Sequence, residues 1–404
     1  MPWRESSPMT ERLDFIKACL HRREQIVEIC DRFGISEKTG QKWLKRFREG
    51  GVEALEDRSH APLNHAGRIT PEVAARIFEL KRKHSDFGPE KLRDWLILNE
   101  PKENGEHWPA TSSIGELLRK HHLVRKRRRK HLPRETRALM GLTSATESNS
   151  VWTADFKGQF RLRNSAGSYC YPLTVLDLHT HFLLGCTALE STAVTGAKKS
   201  FTRLFQEFGL PEVMRTDNGV PFAQPTSLGR LGQLALWWVR LGIRPEYIRP
   251  GRPQENGAHE RFHKTLKERA TKPSSSSLAA QQQRFENFRI EYNTDRPHMS
   301  LPERRPPAQH YASSPRQYPA RLPELIYPES WAVRHVRPNG CITLQQNDVY
   351  LSTNLSGQYV GVTEIDNDTL IIRYGQLELG TFDMESKNFS PCVRWSGPDD
   401  RTHA

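Results

Sequence analysis

Along the first third of the chain, apolar residues recur at helical spacing in short runs broken by glycine and proline. Leu13, Ile16, Ala18 and Leu20 predict a helix over 10–22, and Ile26, Val27, Ile29 and Cys30 a second over 24–33. Gly34 ends the second, and Ser36 is placed to cap a third, whose apolar stripe is Trp43, Leu44 and Phe47. Lys38, Gln41, Lys42, Lys45 and Arg46 lie largely off that stripe. A helix, a tight glycine turn and a basic second helix make the helix-turn-helix pattern, whose second helix would enter a DNA major groove. The alternative is a small bundle with a solvated basic face. Residues 49–68 read as a linker. The helical theme then repeats over 71–84, 89–99 and about 112–122, where Leu92, Trp95, Leu96, Ile114, Leu117 and Leu118 could bury a core.

From residue 151 the period changes. Strand patterns run over 151–156, 159–162, 169–177 and 182–189. A helix follows over 192–208, through Val194, Ala197, Phe201, Leu204, Phe205 and Phe208, and Gly209 closes it. A short strand over 213–216 ends at Asp217; a helix over 228–241, a strand over 243–248 and a helix over 257–270 complete the series. Strands first, then alternating helix and strand, predict a mixed β-sheet flanked by helices. Residues 271–283 are low-complexity and read as mobile or extended, with a helix resuming over 284–293. Residues 302–323, rich in proline and arginine, read as a linker. Tight alternation over 331–382 predicts a small all-β domain, a five-stranded barrel or sandwich, and the end from Met384 onward reads as loosely structured.

This pattern divides the chain into a helix-turn-helix domain (1–60), a second such module with a basic tail (61–134), a linker (135–150), an α/β core (151–310), a linker (311–328) and a β-barrel domain (329–390). Charge sharpens the division. The chain carries a net +13. Residues 1–150 hold 30 Lys/Arg against 22 Asp/Glu, residues 151–316 hold 23 against 14, and residues 317–404 hold 7 against 11. Polyanion binding therefore belongs to the first three quarters of the chain. Between Arg119 and Arg134 stand nine Lys/Arg, three His and no acid. Such a run, including Arg125, Arg127, Arg128 and Arg129, is either a solvated linker or a salt-dependent phosphate contact. No stretch has the length and apolarity of a membrane span or a secretory signal, and six scattered cysteines fit a reducing cytosol.

Asp155 and Asp217 end two predicted strands, and Glu260 lies near the start of a basic helix within RPQENGAHERFHKTLK. Phosphodiester cleavage needs an activated oxygen nucleophile and stabilised charge on the attacking and leaving oxygens. Two divalent ions held by carboxylates supply both, and magnesium favours such oxygen ligands. Lys264 and Lys267 follow Glu260 at i+4 and i+7, continuing a basic stripe towards DNA. Lys157, His259 and His263 would either touch phosphate or form solvated surface. Asp177 reads as a strand-turn residue, Asn218 and Gly219 as shaping the turn at Asp217, and Trp237 and Trp238 as core.

WTADFKG, TDNG and PQENGAHERFHKTLK, in this order, resemble the integrase core of bacterial insertion-sequence transposases and retroviral integrases, the DDE group with a ribonuclease H-like fold. With the upstream helical modules and the downstream β domain, the likeness covers nearly the whole chain. It implies Asp155, Asp217 and Glu260 as metal ligands and catalytic residues, and Mg2+ or Mn2+, two ions per site, as cofactor. It implies double-stranded DNA as partner, both element ends and target, and a homo-multimer assembled on DNA, soluble in a bacterial cytoplasm and associated with the nucleoid. The implied activity is a transposase: it binds terminal inverted repeats, frees a 3′-hydroxyl with a metal-activated water and joins it to target DNA in line. A metal-dependent nuclease that does not join, or a DNA-binding regulator with idle carboxylates, are the alternatives. Glu255 is a rival third carboxylate, although the family's acid follows the Asn-Gly, which selects Glu260. The 42 residues between Asp217 and Glu260 exceed the family's spacing, and 220–232 reads as an insertion. His179-Thr180-His181 stands where relatives carry Ser-Arg.

Overall fold

The computed structural model describes residues 7–21, 24–57, 69–102, 107–124, 141–164, 167–250, 252–366 and 368–396. It divides into two compact units, residues 1–68 and residues 69–404.

The first unit holds helices α1 (Pro8–Leu20), α2 (Ile26–Arg32) and α3 (Glu37–Gly50). Ser7 and Ser36 cap α1 and α3, their hydroxyls accepting the backbone N–H of Thr10 and Thr39. Phe15, Ile16, Ile29, Cys30, Leu44 and Leu55 form the core. The close approach of α3 depends on Gly40, where an added Cβ would collide with Cys30 Sγ and the Phe15 ring. Gly40→Ala should therefore cost this unit roughly 1–3 kcal/mol, the usual penalty of overpacking.

The second unit opens with α4 (Pro71–Lys83), α5 (Pro89–Asn99) and α6 (Thr111–Lys120), packed around Ile77, Leu80, Phe87, Leu92, Leu96, Ile114 and Leu118. The sheet follows: β1 (Val151–Phe156), β2 (Phe160–Arg161), β3 (Tyr169–Asp177), β4 (Leu183–Leu189), then α7 (Val194–Phe208), β5 (Val213–Thr216), α8 (Gln233–Arg240), β6 (Arg244–Tyr247), α9 (Gly257–Ala270) and α10 (Leu278–Thr294). The order is β4-β3-β1-β5-β6, with β2 pairing the start of β3. β1 runs antiparallel to β3 and parallel to β5. The first four residues of β1 are all buried because both faces are covered. Trp152 and Ala154 pack with α7 and α8, whereas Leu176, Leu183 and Cys186 of β3 and β4 pack with Phe262, Leu266, Phe285 and Phe288 of α9 and α10.

Three readings of the sequence need correction here. First, α10 begins within the low-complexity stretch: Ser277 caps it, and Gln281, fully buried, donates to the Ala270 carbonyl. Short-range composition hid this long-range anchor. Second, the stretch read as a linker packs as a strap. Tyr311 stacks on Phe182 with centroids 4.2 Å apart, and Arg316 donates to the carbonyls of Pro211, Leu241 and Gly242. Third, the C-terminal region is an open sheet. β7 (Ala332–His335), β8 (Cys341–Leu344), β9 (Asn347–Tyr350), β10 (Tyr359–Asp366), β11 (Thr369–Tyr374), β12 (Leu377–Asp383) and β13 (Asn388–Trp395) form an antiparallel sheet, β13-β12-β11-β10-β7, and a β8-β9 hairpin. No pairing closes it into a barrel among the described residues. β13 lies in the segment read as loose; it carries Pro391, which an edge strand tolerates.

The insertion after Asp217 receives this sheet. Val393 packs on Gly229, and Asn354 Nδ2 donates to Gln224, Ser227 and the Leu231 carbonyl. One apolar core runs continuously from α7 and α8 into β10–β12.

Candidate active site

Strand register decides the first half of the site. Ala154 of β1 lies opposite Thr216 of the parallel β5, so the next residues, Asp155 and Asp217, emerge side by side at one end of the sheet. The turn at Asp217 is held internally. Gly219 N–H donates to Asp217 Oδ1 at 3.0 Å, while Asn218 donates to the Ile248 carbonyl and accepts from Arg230. Asp177 instead stabilises the turn after β3: its buried carboxylate accepts from Asn149 N–H and from the Thr180 N–H and hydroxyl.

α9 supplies the second half. Thr153 and Asp155 alternate to the sheet face opposite Trp152 and Ala154, which is where α9 crosses. His259 is fully buried between Thr153 Oγ1, 3.2 Å from Nδ1, and Thr174 Oγ1, 2.9 Å from Nε2. His263 Nε2 lies 2.8 Å from the same Thr174 hydroxyl, and its Nδ1 lies 3.8 Å from Asp155 Oδ2. Asn256 Nδ2 donates to Asp155 Oδ2 at 3.3 Å. Phosphate contact or solvated surface was the expectation for both histidines; the structure buries them, and burial holds both far below the usual imidazole range, His263 at about 3. Their i, i+4 spacing beside Phe262 was the one available signal.

Glu260, one residue past His259, is exposed and forms no hydrogen bond or ion pair among the described residues. Glu255 differs. It is buried, and Arg249 grips it through its backbone N–H at 2.8 Å and its Nε at 2.6 Å. Burial alone would raise the Glu255 carboxyl, but Arg249 outweighs it and holds the group low. Asp155 is the opposite case. Burial, with repulsion from Asp217 and more weakly from Glu260, pushes its carboxyl up to about 7. Asp155 has no Lys or Arg ion pair among the described residues. Lys157 offsets the rise only in part, and carboxylate oxygens left short of positive charge are chemically suited to a divalent ion.

A cleft of about 420 Å³ beside this site is lined by Lys157, Arg161, Lys267 and Lys272. Lys264 is exposed on α9. In the first unit, Lys38, Gln41, Lys42 and Lys45 are exposed on α3, and Arg46 lies half-buried over the Trp43 ring at 4.9 Å. Arg125, Arg127, Arg128 and Arg129 lie outside the described residues. Trp237 and Trp238 are core.

Residues 145–253 and 241–307 match two integrase core domain families, residues 11–62 a helix-turn-helix domain family and residues 39–118 a homeodomain-like domain family. Among curated relatives, the Pol polyprotein of feline endogenous virus ECE1 is 31% identical over 130 residues, 32% of this chain and 12% of that protein. The koala retrovirus Gag-Pol polyprotein is 32% identical over 102 residues, 25% of this chain and 6% of that protein. The match thus spans only a small part of these relatives. Similar solved structures include the HTLV-2 integrase catalytic core domain in complex with magnesium, at 14% identity and TM-score 0.33, covering 42% of this chain and 100% of that one. Another is a simian T-cell lymphotropic virus intasome, at 14% identity and TM-score 0.35, covering 80% of this chain and 99% of the other. The domain matches and the mixed sheet agree: this chain carries an integrase core domain, preceded by helix-turn-helix domains.

Proposed function

We propose that the protein is a DNA transposase that cleaves the 3′ ends of an insertion sequence and joins them to target DNA. The observation that carries this reading is the strand register that sets Asp155 beside Asp217, with Glu260 near enough to add to the repulsion that, after burial, raises Asp155 to about 7. Magnesium or manganese, in two sites, would be held by these three residues and would supply charge stabilisation for the attacking and leaving oxygens. The protein's own part is orientation. Asn256, His259 and Thr174 fix α9 against β1, the Gly219 N–H aims Asp217, and Lys157, Lys264 and Lys267 lie where the DNA backbone would approach. In the first reaction water attacks the scissile phosphorus and the element's 3′-oxygen leaves, taking a proton to become a hydroxyl. In the second that hydroxyl attacks a target phosphodiester and the target's own 3′-oxygen leaves.

Recognition of the terminal repeats falls to the helix-turn-helix domains: α3, with Lys38, Gln41, Lys42, Lys45 and Arg46, enters the major groove, and the basic run through Arg125 and Arg127–129 contacts phosphate. The C-terminal sheet supports assembly of a multimer that holds two ends together. The deciding experiment is cleavage and joining of a labelled element-end duplex with Mg2+ or Mn2+, comparing wild type with Asp217→Asn and Glu260→Gln. Loss of both reactions in each variant, with DNA binding kept, is the expected result. Cleavage without joining would favour a nuclease, no activity in any form a DNA-binding regulator, and activity in Glu260→Gln but not Glu255→Gln would move the third ligand.

A further inference from the structure

The polar layer under α9 fixes which nitrogen of His263 carries the proton. Thr174 Oγ1 has three partners: the Asp155 carbonyl at 3.0 Å, His259 Nε2 at 2.9 Å and His263 Nε2 at 2.8 Å. A carbonyl can only accept, so with the single hydroxyl proton of Thr174 on Asp155 both histidines donate their Nε2–H to that oxygen. The Thr153 hydroxyl faces both His259 Nδ1 and Asn256 Oδ1 at 3.2 Å, so a second arrangement turns His259 round, its Nδ1–H on Thr153 and its Nε2 accepting from Thr174. In both, His263 donates its Nε2–H to Thr174; the opposite His263 tautomer leaves one more buried contact without a proton, which costs about 1–3 kcal/mol.

The consequence falls on His263. As a neutral Nε2–H imidazole, it presents an unprotonated Nδ1, and that atom lies 3.8 Å from Asp155 Oδ2. The separation is too long for a hydrogen bond. It is one that a single ion with ligand bonds of roughly 2.1 Å can span. Two lone-pair donors thus face each other at the end of β1, with no Lys or Arg paired to Asp155 among the described residues. His259, by contrast, has its Nδ1 engaged by Thr153. Only one of the two histidines is free to bind a cation.

We propose that His263 Nδ1 is a further protein ligand of the divalent ion held by Asp155, and that this nitrogen tilts the site towards manganese over magnesium. The inference rests on the metal-site reading above. Magnesium takes oxygen almost exclusively, whereas an imidazole nitrogen suits a later divalent ion better. The Thr174 and His259 bonds fix the ring orientation, as outer partners of a ligating histidine do.

The test is pulsed electron paramagnetic resonance of Mn2+ bound to the full chain, which reads directly coordinated 14N, alongside Mn2+ and Mg2+ titrations by calorimetry. We expect a nitrogen coupling in the wild type that disappears in His263→Gln. Mn2+ affinity should fall roughly tenfold or more in that variant, with a smaller change for Mg2+. Bound Mn2+ that shows no nitrogen coupling in the wild type would overturn the inference while leaving the carboxylate site standing. A coupling that persists in His263→Gln would overturn it equally. If the wild type binds no Mn2+ that Asp217→Asn removes, the metal-site reading itself fails and this inference with it. The wild-type spectrum decides the point even if His263→Gln does not fold.

Discussion

Two places in the second unit set a buried histidine beside carboxylates, and they differ in how charge is balanced. At the first, His84 lies between α4 and α10, with Nδ1 3.1 Å from Glu291 and Nε2 3.2 Å from Asp295. Arg269 pairs with Glu291, Lys83 lies 3.7 Å from Asp295, and Trp95 Nε1 donates to Asp295. Each carboxylate there already has a cation. Burial alone would lower the His84 imidazole, but its bonds to Asp295 and Glu291 outweigh burial and raise it. At the second, Asp155, Asp217 and Glu260 form no Lys or Arg ion pair among the described residues, Lys157 acting on Asp155 only from farther away, and His263 offers a lone pair rather than a proton. The three ligand atoms of the His84 cluster lie within 4.8 Å of one another. Their spacing would admit an ion, yet the cluster needs none, because Arg269 and Lys83 already pair with its carboxylates. Charge balance distinguishes the two places. The first cluster is a lock joining the α4–α6 helices to the sheet domain; the second is the proposed ion site.

The comparison can be broken most forcefully at the second site. Asp217→Asn or Glu260→Gln should lower cleavage by about a thousandfold or more, the order expected when several kcal/mol of charge stabilisation are lost. His84→Leu should cost about 3 kcal/mol by leaving carboxylates short of a partner, and thermal unfolding should show it without change in Mn2+ affinity. If Mn2+ affinity fell with it, the two clusters would not be the separate devices described.

Rising pH should weaken the metal-free fold at both clusters, in different windows, while it strengthens ion binding at the second. Asp155 titrates near 7 against an ordinary value near 4, so the metal-free folded state holds a proton that the unfolded chain has lost. Metal-free stability should therefore fall as pH rises between those values. Mn2+ affinity should rise about tenfold per unit up to near 7 and then level, because the ion must displace that proton. For His84, raised above its ordinary value, the lock's contribution is complete below about 6.5 and is lost as pH rises through the folded value. The smallest expected effect is a rise of a few degrees in the melting temperature of metal-free Asp155→Asn, since the amide removes the repulsion from Asp217 and Glu260. A fall would mean that Asp155 is already neutralised.

Much of this was legible along the chain. The periods of 3.6 and 2 located the helices and most strands, and Ser36 and Gly34 marked the boundaries of α3. Asp155 and Asp217 were recognisable because each directly ends an apolar strand. The choice between Glu255 and Glu260 was only inferable from likeness. The structure shows Arg249 holding Glu255 and no hydrogen bond or ion pair to Glu260 among the described residues. The misread segments share one cause. Gln281, Arg316 and β13 are anchored by carbonyls or strands distant in sequence, and local composition carries no trace of such partners.

The sequence by itself determined the order of the modules and the basic character of the first three quarters, because these follow from residue type and local period, and it nominated three carboxylates by likeness. Only the tertiary structure decided which neighbours each carboxylate meets. Parallel register put Asp155 beside Asp217, and a buried threonine shared by two histidines set the proton positions beneath α9. Charge balance is a property of space, and a linear sequence records the charges without their distances.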